Sequence, residues 1–129
     1  MFSQLMLMEA VRTAYPQEDF FIDQAGKVNL QNGTILSQDD IATLLAQHKI
    51  TKAWALVRSQ RDLLLQQSDW RIVNAMEKSK RIDVNVLSYR QALRDFPNQL
   101  LQQGTIPEVD QNGFLVLQAT WPTLPATSA

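Results

Sequence analysis

The sequence predicts an α+β fold in which helices dominate, and three observations carry that prediction. From Lys52 to Phe96, apolar residues recur three and four apart, the period of a helix with one buried face. Ahead of them, two short extended-favouring runs are punctuated by Gly26 and Gly33. Beyond them, Leu115, Leu117, Ala119 and Trp121 alternate to one side, as in a half-buried strand. The expected order is a short helix, a small N-terminal antiparallel meander, a central helical hairpin, and a C-terminal strand with an extended tail.

Each element has a local reason. Residues 3 to 14 place Leu5, Met8, Val11 and Arg12 at helical spacing, and Tyr15-Pro16 closes the run because proline pushes the preceding residue out of the helical region. Asp19 to Asp23 and Lys27 to Gln31 read as strands joined by Gln24-Ala25-Gly26, and Asn32-Gly33 turns the chain before Thr34-Ile35-Leu36. Ser37, followed by Asp39 and Asp40, supplies a cap and negative charge for a helix beginning near Gln38, with Ile41, Leu44 and Leu45 as its buried stripe. His48 to Thr51 is read either as an interruption of this helix or as its continuation. From Lys52, Trp54, Val57, Arg61, Leu64 and Leu65 share a face, and Leu56 and Leu63 widen it toward a second packing partner. Arg58 and Asp62, four apart, are expected to pair.

Ser68-Asp69-Trp70 is expected to end that helix and cap another through Ile72, Val73 and Met76. Asp83 caps the next, where Val86, Tyr89, Leu93 and Phe96 recur until Pro97 follows the stop. Gln99 to Pro107 reads as a connection, Asp110 to Gly113 as a turn, and Phe114 to Trp121 as the strand, open to the first meander or to a partner chain. Pro122 to Ala129 favours extended structure. No internal repeat is apparent.

Composition narrows the function. With 129 residues, 45% hydrophobic and 19% charged, the chain is long enough for one modest core and too apolar for disorder. Twelve basic against thirteen acidic residues leave a net charge of -1, so no global field draws it to nucleic acid or anionic lipid. It has no cysteine, which removes disulfides, thiolate metal sites and cysteine nucleophiles. The first ten residues lack the features of a signal peptide, and no run reaches the about 20 apolar residues that cross a bilayer, so a soluble protein is expected.

Catalysis needs convergent activated groups, and His48 is the single histidine. It reads best as a boundary residue. Asp39-Asp40 and Glu18-Asp19 lack the pattern of a calcium loop and read as caps and solvated charge. Lys78, Lys80 and Arg81 form a basic cluster without interleaved aromatics, a solvated face rather than a nucleic-acid site. Neither cofactor nor metal is expected. Trp54 belongs to a periodic face, whereas Trp70 and Trp121 stand at predicted element ends, where a corner, a packing contact or an interface is equally open.

Two stretches resemble a known family: Arg58-Ser-Gln-Arg61-Asp-Leu-Leu-Leu-Gln-Gln-Ser68-Asp69-Trp70 and Ser88-Tyr89-Arg90-Gln-Ala-Leu93-Arg94-Asp95-Phe96-Pro97, with a distal Trp121-Pro122. They are similar to the helix pair of phage tail assembly chaperones. The chain departs from that pattern between the motifs, where the family's looser, proline-containing spacer is replaced by an apolar run. Leu7 to Leu44 resembles other short tail-locus proteins through Tyr15-Pro16 and Asp19-Phe20.

The resemblance implies a non-enzymatic bacteriophage protein, present in the host cytoplasm during assembly, that binds a tail fibre or baseplate protein. It would act as a transient chaperone or as an adaptor retained in the virion tail, with self-association inside an assembly left open. The alternative is a prophage or bacterial interaction domain unrelated to tails. Candidate partner-binding residues are Arg58, Trp70, Arg94, Leu115, Leu117, Trp121 and Pro122. The expected division is 1–50 with the meander, 51–97 as the helical body, and 98–129 as a partner-binding strand and tail, packed as one compact unit.

Overall fold

Helical spacing, strand runs and turns resolve into seven elements in a computed structural model that describes residues 4–124. They are α1 (Gln4–Ala14), β1 (Phe20–Ile22), β2 (Val28–Leu30), α2 (Gln38–Glu77), α3 (Val84–Gln103), β3 (Glu108–Val109) and β4 (Leu115–Val116). The predicted class, α+β with a helical hairpin, is the class observed. The chain forms two compact units: residues up to Ala53 with Glu108–Val116, and Trp54–Pro107 with the residues from Leu117 on. Of the expected tail, residues 125–129 lie outside the described part.

In the first unit, α1 ends where Tyr15-Pro16 requires. It buries Met6, Ala10 and Val11, and leaves Leu5 and Met8 exposed. The expected stripe was therefore offset, because four-residue spacing from Met6 to Ala10 fits a helix as well as three-residue spacing from Leu5 to Met8. The meander forms as read. β1 and β2 pair antiparallel with Phe21 opposite Asn29, and Ile35 bridges back to Asn29 after the Gly33 turn. Val28, Leu30 and Leu36 face inward. The Ser37 hydroxyl accepts from Asp40 N at 3.1 Å and starts α2, whose Ile41 and Leu45 are buried.

The C-terminal strand is shorter than expected. Only Leu115 and Val116 pair, and their partner is Glu108–Val109 rather than the first meander. Its loop repeats that of the first hairpin. Asp23 Oδ1 accepts from Ala25 N at 3.0 Å and Lys27 N at 2.9 Å, with Gly26 at φ 81°. Asp110 Oδ1 accepts from Asn112 N at 2.8 Å and Phe114 N at 3.0 Å, with Gly113 at φ 83°. Asp23-Gln24-Ala25-Gly26 and Asp110-Gln111-Asn112-Gly113 are thus one loop used twice, a repeat too short to stand out along the chain.

Two helix boundaries are corrected. α2 runs unbroken through Ser68-Asp69-Trp70, and at His48 the continuation is the alternative observed. Ser68 does not cap; its hydroxyl donates to Leu65 O at 2.8 Å, one turn back. α3 begins at the Asp83 cap, where Oδ1 accepts from Asn85 N at 2.8 Å, and passes through Pro97 instead of stopping before it. Proline inside a helix costs about 3 kcal/mol. Burial of Phe96, Pro97 and Leu100 and a left-handed Gly104 at the end offset that cost. The buried face of α3 is Val86, Tyr89, Leu93, Phe96 and Leu100, with Leu93 fully enclosed.

Candidate functional site

Beside its buried apolar face, the second unit carries a polar contact that the helical period does not reveal. Arg90, on α3, points Nη1 at three acceptors of α2: Leu65 O at 2.9 Å, Ser68 Oγ at 2.6 Å and Asp69 Oδ1 at 2.7 Å. Ser68 is buried, and donating its own proton to Leu65 leaves its oxygen free to accept from Arg90. Ser68-Asp69 and Tyr89-Arg90 are therefore halves of one brace between helices, with Tyr89 buried beside it in sequence. Arg90 stands in the motif, but its bridging role was not legible, because a guanidinium's partners cannot be read from its charge.

Trp70, next in the motif, faces outward. It is 59% exposed, and Val73 and Met76 continue the exposed apolar ridge at three-residue intervals. Of the readings left open for Trp70, an inward packing contact is not the one observed. The Arg71 guanidinium lies 5.3 Å from the Trp70 ring centroid, a cation–π contact. Arg71 Nε is buried and has no hydrogen-bond partner among the described residues. An orphaned buried donor costs about 1–3 kcal/mol.

The chain turns sharply just beyond. Ser79 N donates to Met76 O at 3.1 Å and Lys80 N to Ala75 O at 2.8 Å, a Schellman closure with Ser79 at φ 53°. This turn and the Asp83 cap bring Lys80, Arg81 and Ile82 beside Trp70, Arg71 and Val86 around a cleft of about 320 Å³.

The other predicted residues divide by exposure. Arg58 and Arg94 are exposed. Asp62 pairs with its neighbour Arg61 at 2.9 Å rather than with Arg58. On α3, Arg94 lies seven residues from both Leu87 and Leu101, all three exposed and on one side of the helix. Trp121 is half-buried, its ring centroid 4.4 Å from that of Phe96 at an interplanar angle of 35°. Pro122 and Leu117 are half-buried in the same unit, while Leu115 belongs to the first.

A family model described as phage tail assembly chaperone protein matches residues 54–126, more than half of the chain. The chain belongs to that family. The match opens at Trp54, where the second unit begins, and spans the Arg90 brace and the Trp70 cleft. Comparison with curated proteins gave no match, and neither did comparison with solved structures. Membership favours the tail-assembly reading over an interaction domain unrelated to tails.

His48 enters a small ion cluster in the first unit. Its Nε2 lies 3.3 Å from Glu9 Oε2, which also lies 3.5 Å from Lys52 Nζ. The His48 hydrogen bond, with Lys52 adding to it, holds the Glu9 carboxyl below its usual range. Among the described residues no cluster of three or more histidine, aspartate or glutamate side chains is placed to hold a metal ion, and no helix is long and apolar enough to cross a membrane.

Proposed function

We propose that this tail assembly chaperone works without catalysis by binding a tail fibre or baseplate protein in the host cytoplasm, on a surface of the second unit. The observation that carries the reading is Trp70: a large aromatic, exposed, following directly on the residues that lock the two helices together. A rigid base under an exposed indole is what an interaction hot spot requires, because ordering costs have already been met before contact. Arg58 and Arg94 are exposed guanidinium groups on the same unit and extend the surface. Trp121 and Pro122, half-buried, seat the C-terminal segment and keep part of their surface for a partner; Leu115 and Leu117 flank that segment.

The test is co-expression with the fibre and baseplate proteins of the same tail locus, followed by purification on a tag carried by the chaperone. One of them should co-purify with the native chain and be depleted with Trp70→Ala at unchanged thermal stability. Co-purification of neither would sink the reading. Mass spectrometry of finished particles then decides its fate: stoichiometric presence marks a retained adaptor, absence a chaperone that leaves.

A further inference from the structure

The cleft beside Trp70 has a sign. Residues 70–83 carry four cations, Arg71, Lys78, Lys80 and Arg81, against two acids, Glu77 and Asp83, in a chain whose net charge is -1. Asp83 is already engaged, its Oδ1 accepting from Asn85 N at the start of α3. The carbonyl end of α2 draws cations by its dipole, which accounts for charge at Lys78 and Lys80. It does not account for Arg71, which lies more than a turn back inside the helix with a buried Nε that has no partner among the described residues. The walls around the cleft supply an indole, Ile82 and Val86 for apolar contact.

We propose that the cleft seats an acidic peptide segment, an apolar side chain lying on Trp70 and its carboxylates facing Arg71, Lys80 and Arg81. The proposal rests on the reading of the chain as a binder of a tail protein and names the chemistry of the segment it grips. Carboxylates bring acceptors to guanidinium groups in paired geometry, and the apolar contact gives the segment a fixed register. Nucleic acid fits less well: one exposed indole and a single local cluster provide neither a run of stacking platforms nor a basic track along a backbone.

The experiment uses the full chain and three fluorescently labelled probes: a short peptide alternating glutamate with leucine and phenylalanine, the same peptide with glutamine for glutamate, and a single-stranded DNA oligonucleotide. By fluorescence anisotropy the acidic peptide should bind, and the glutamine peptide should bind about tenfold more weakly or worse. Binding should weaken as salt rises. The double variant Lys80→Gln/Arg81→Gln, altered at two exposed positions, and Trp70→Ala should each lose about tenfold in affinity while Lys52→Gln, in the other unit, matches the native chain. The proposal is overturned if the acidic peptide does not bind, if the double variant binds it undiminished, or if the oligonucleotide binds as tightly through the same residues. Co-purification of a tail protein with the double variant, alongside absent peptide binding, would remove this proposal and leave the wider reading standing. Peptide binding without any co-purifying tail protein would do the reverse.

Discussion

Arg90 bridges the two helices of the family-matched unit with a side chain that is only 14% exposed. Removing it takes the donor from the buried Ser68 oxygen and leaves Leu65 O with the Ser68 hydroxyl as its side-chain donor, so Arg90→Ala should cost about 1–3 kcal/mol in urea unfolding. Lysine carries the charge, but all three contacts come from Nη1 at the tip of the longer side chain, and Arg90→Lys should recover less than half of that loss. Asp69 is more than half exposed, and Asp69→Asn should cost under about 1 kcal/mol. If Asp69→Asn proved the costlier change, the brace would be an ion pair at heart and not a hydrogen-bonded one. Glu9 offers a pH-dependent counterpart in the other unit. Its carboxyl is held below the usual range, so its contribution is present at neutral pH and is lost as the pH falls through its lowered pKa. The melting temperatures of native chain and Glu9→Gln should differ at pH 7 and converge in acid; a gap that widened in acid would contradict the assignment. At this scale the sequence told residue type but not partner: Arg58 and Arg90 look alike in the motif, and only packing separates an exposed guanidinium from one that spans two helices.

Helix ends were legible where a cap has no competing use and illegible where one has. Ser37 and Asp83 cap as expected. Ser68 and Asp69 carry the same chemistry, but Arg90 engages both and the helix continues past them. Around Lys52 the apolar spacing of α2 shifts phase, from Ile41 and Leu45 to Val57 and Leu64, which is also what two successive helices would produce. Pro97 reads as a stop because local preference opposes it; burial of Leu100 beyond it decides otherwise. The end of α2 carries a testable strain. Ser79 closes the Schellman turn in the left-handed region at φ 53°, a conformation that costs a residue with a Cβ about 1–2 kcal/mol. Glycine removes that cost and gives back part of it through a looser unfolded chain. Ser79→Gly should therefore stabilise the protein by about 0.5–1 kcal/mol in thermal or urea unfolding. A destabilised variant would mean that the serine side chain makes a contact worth more than the strain.

At the scale of the whole chain, the C-terminal segment serves both compact units in turn, since Glu108–Val116 belongs to one and the residues from Leu117 to the other. The alternation of Leu115, Leu117, Ala119 and Trp121 was legible and their half-burial follows it, but pairing stops at Val116, because strand partners cannot be read from one strand's own pattern. A chain ended after Asn112 would lose β4, the backbone bond from Asp110 N to Phe114 O, and Trp121 from the face of Phe96. It should be less stable than Trp121→Ala, which loses the ring contact alone, about 1–3 kcal/mol for a half-buried indole. Loss of partner binding on truncation would then report folding as much as contact. Trp121→Phe separates the two, since phenylalanine keeps a ring for Phe96 while removing the indole's outer edge and its N–H. We expect Trp121→Phe to regain most of the stability lost by Trp121→Ala in urea unfolding. If co-purification with the tail protein returns together with stability, Trp121 acts by seating the segment on α3. If stability returns and co-purification does not, the indole itself touches the partner, and the binding surface extends from Trp70 to the C-terminal segment.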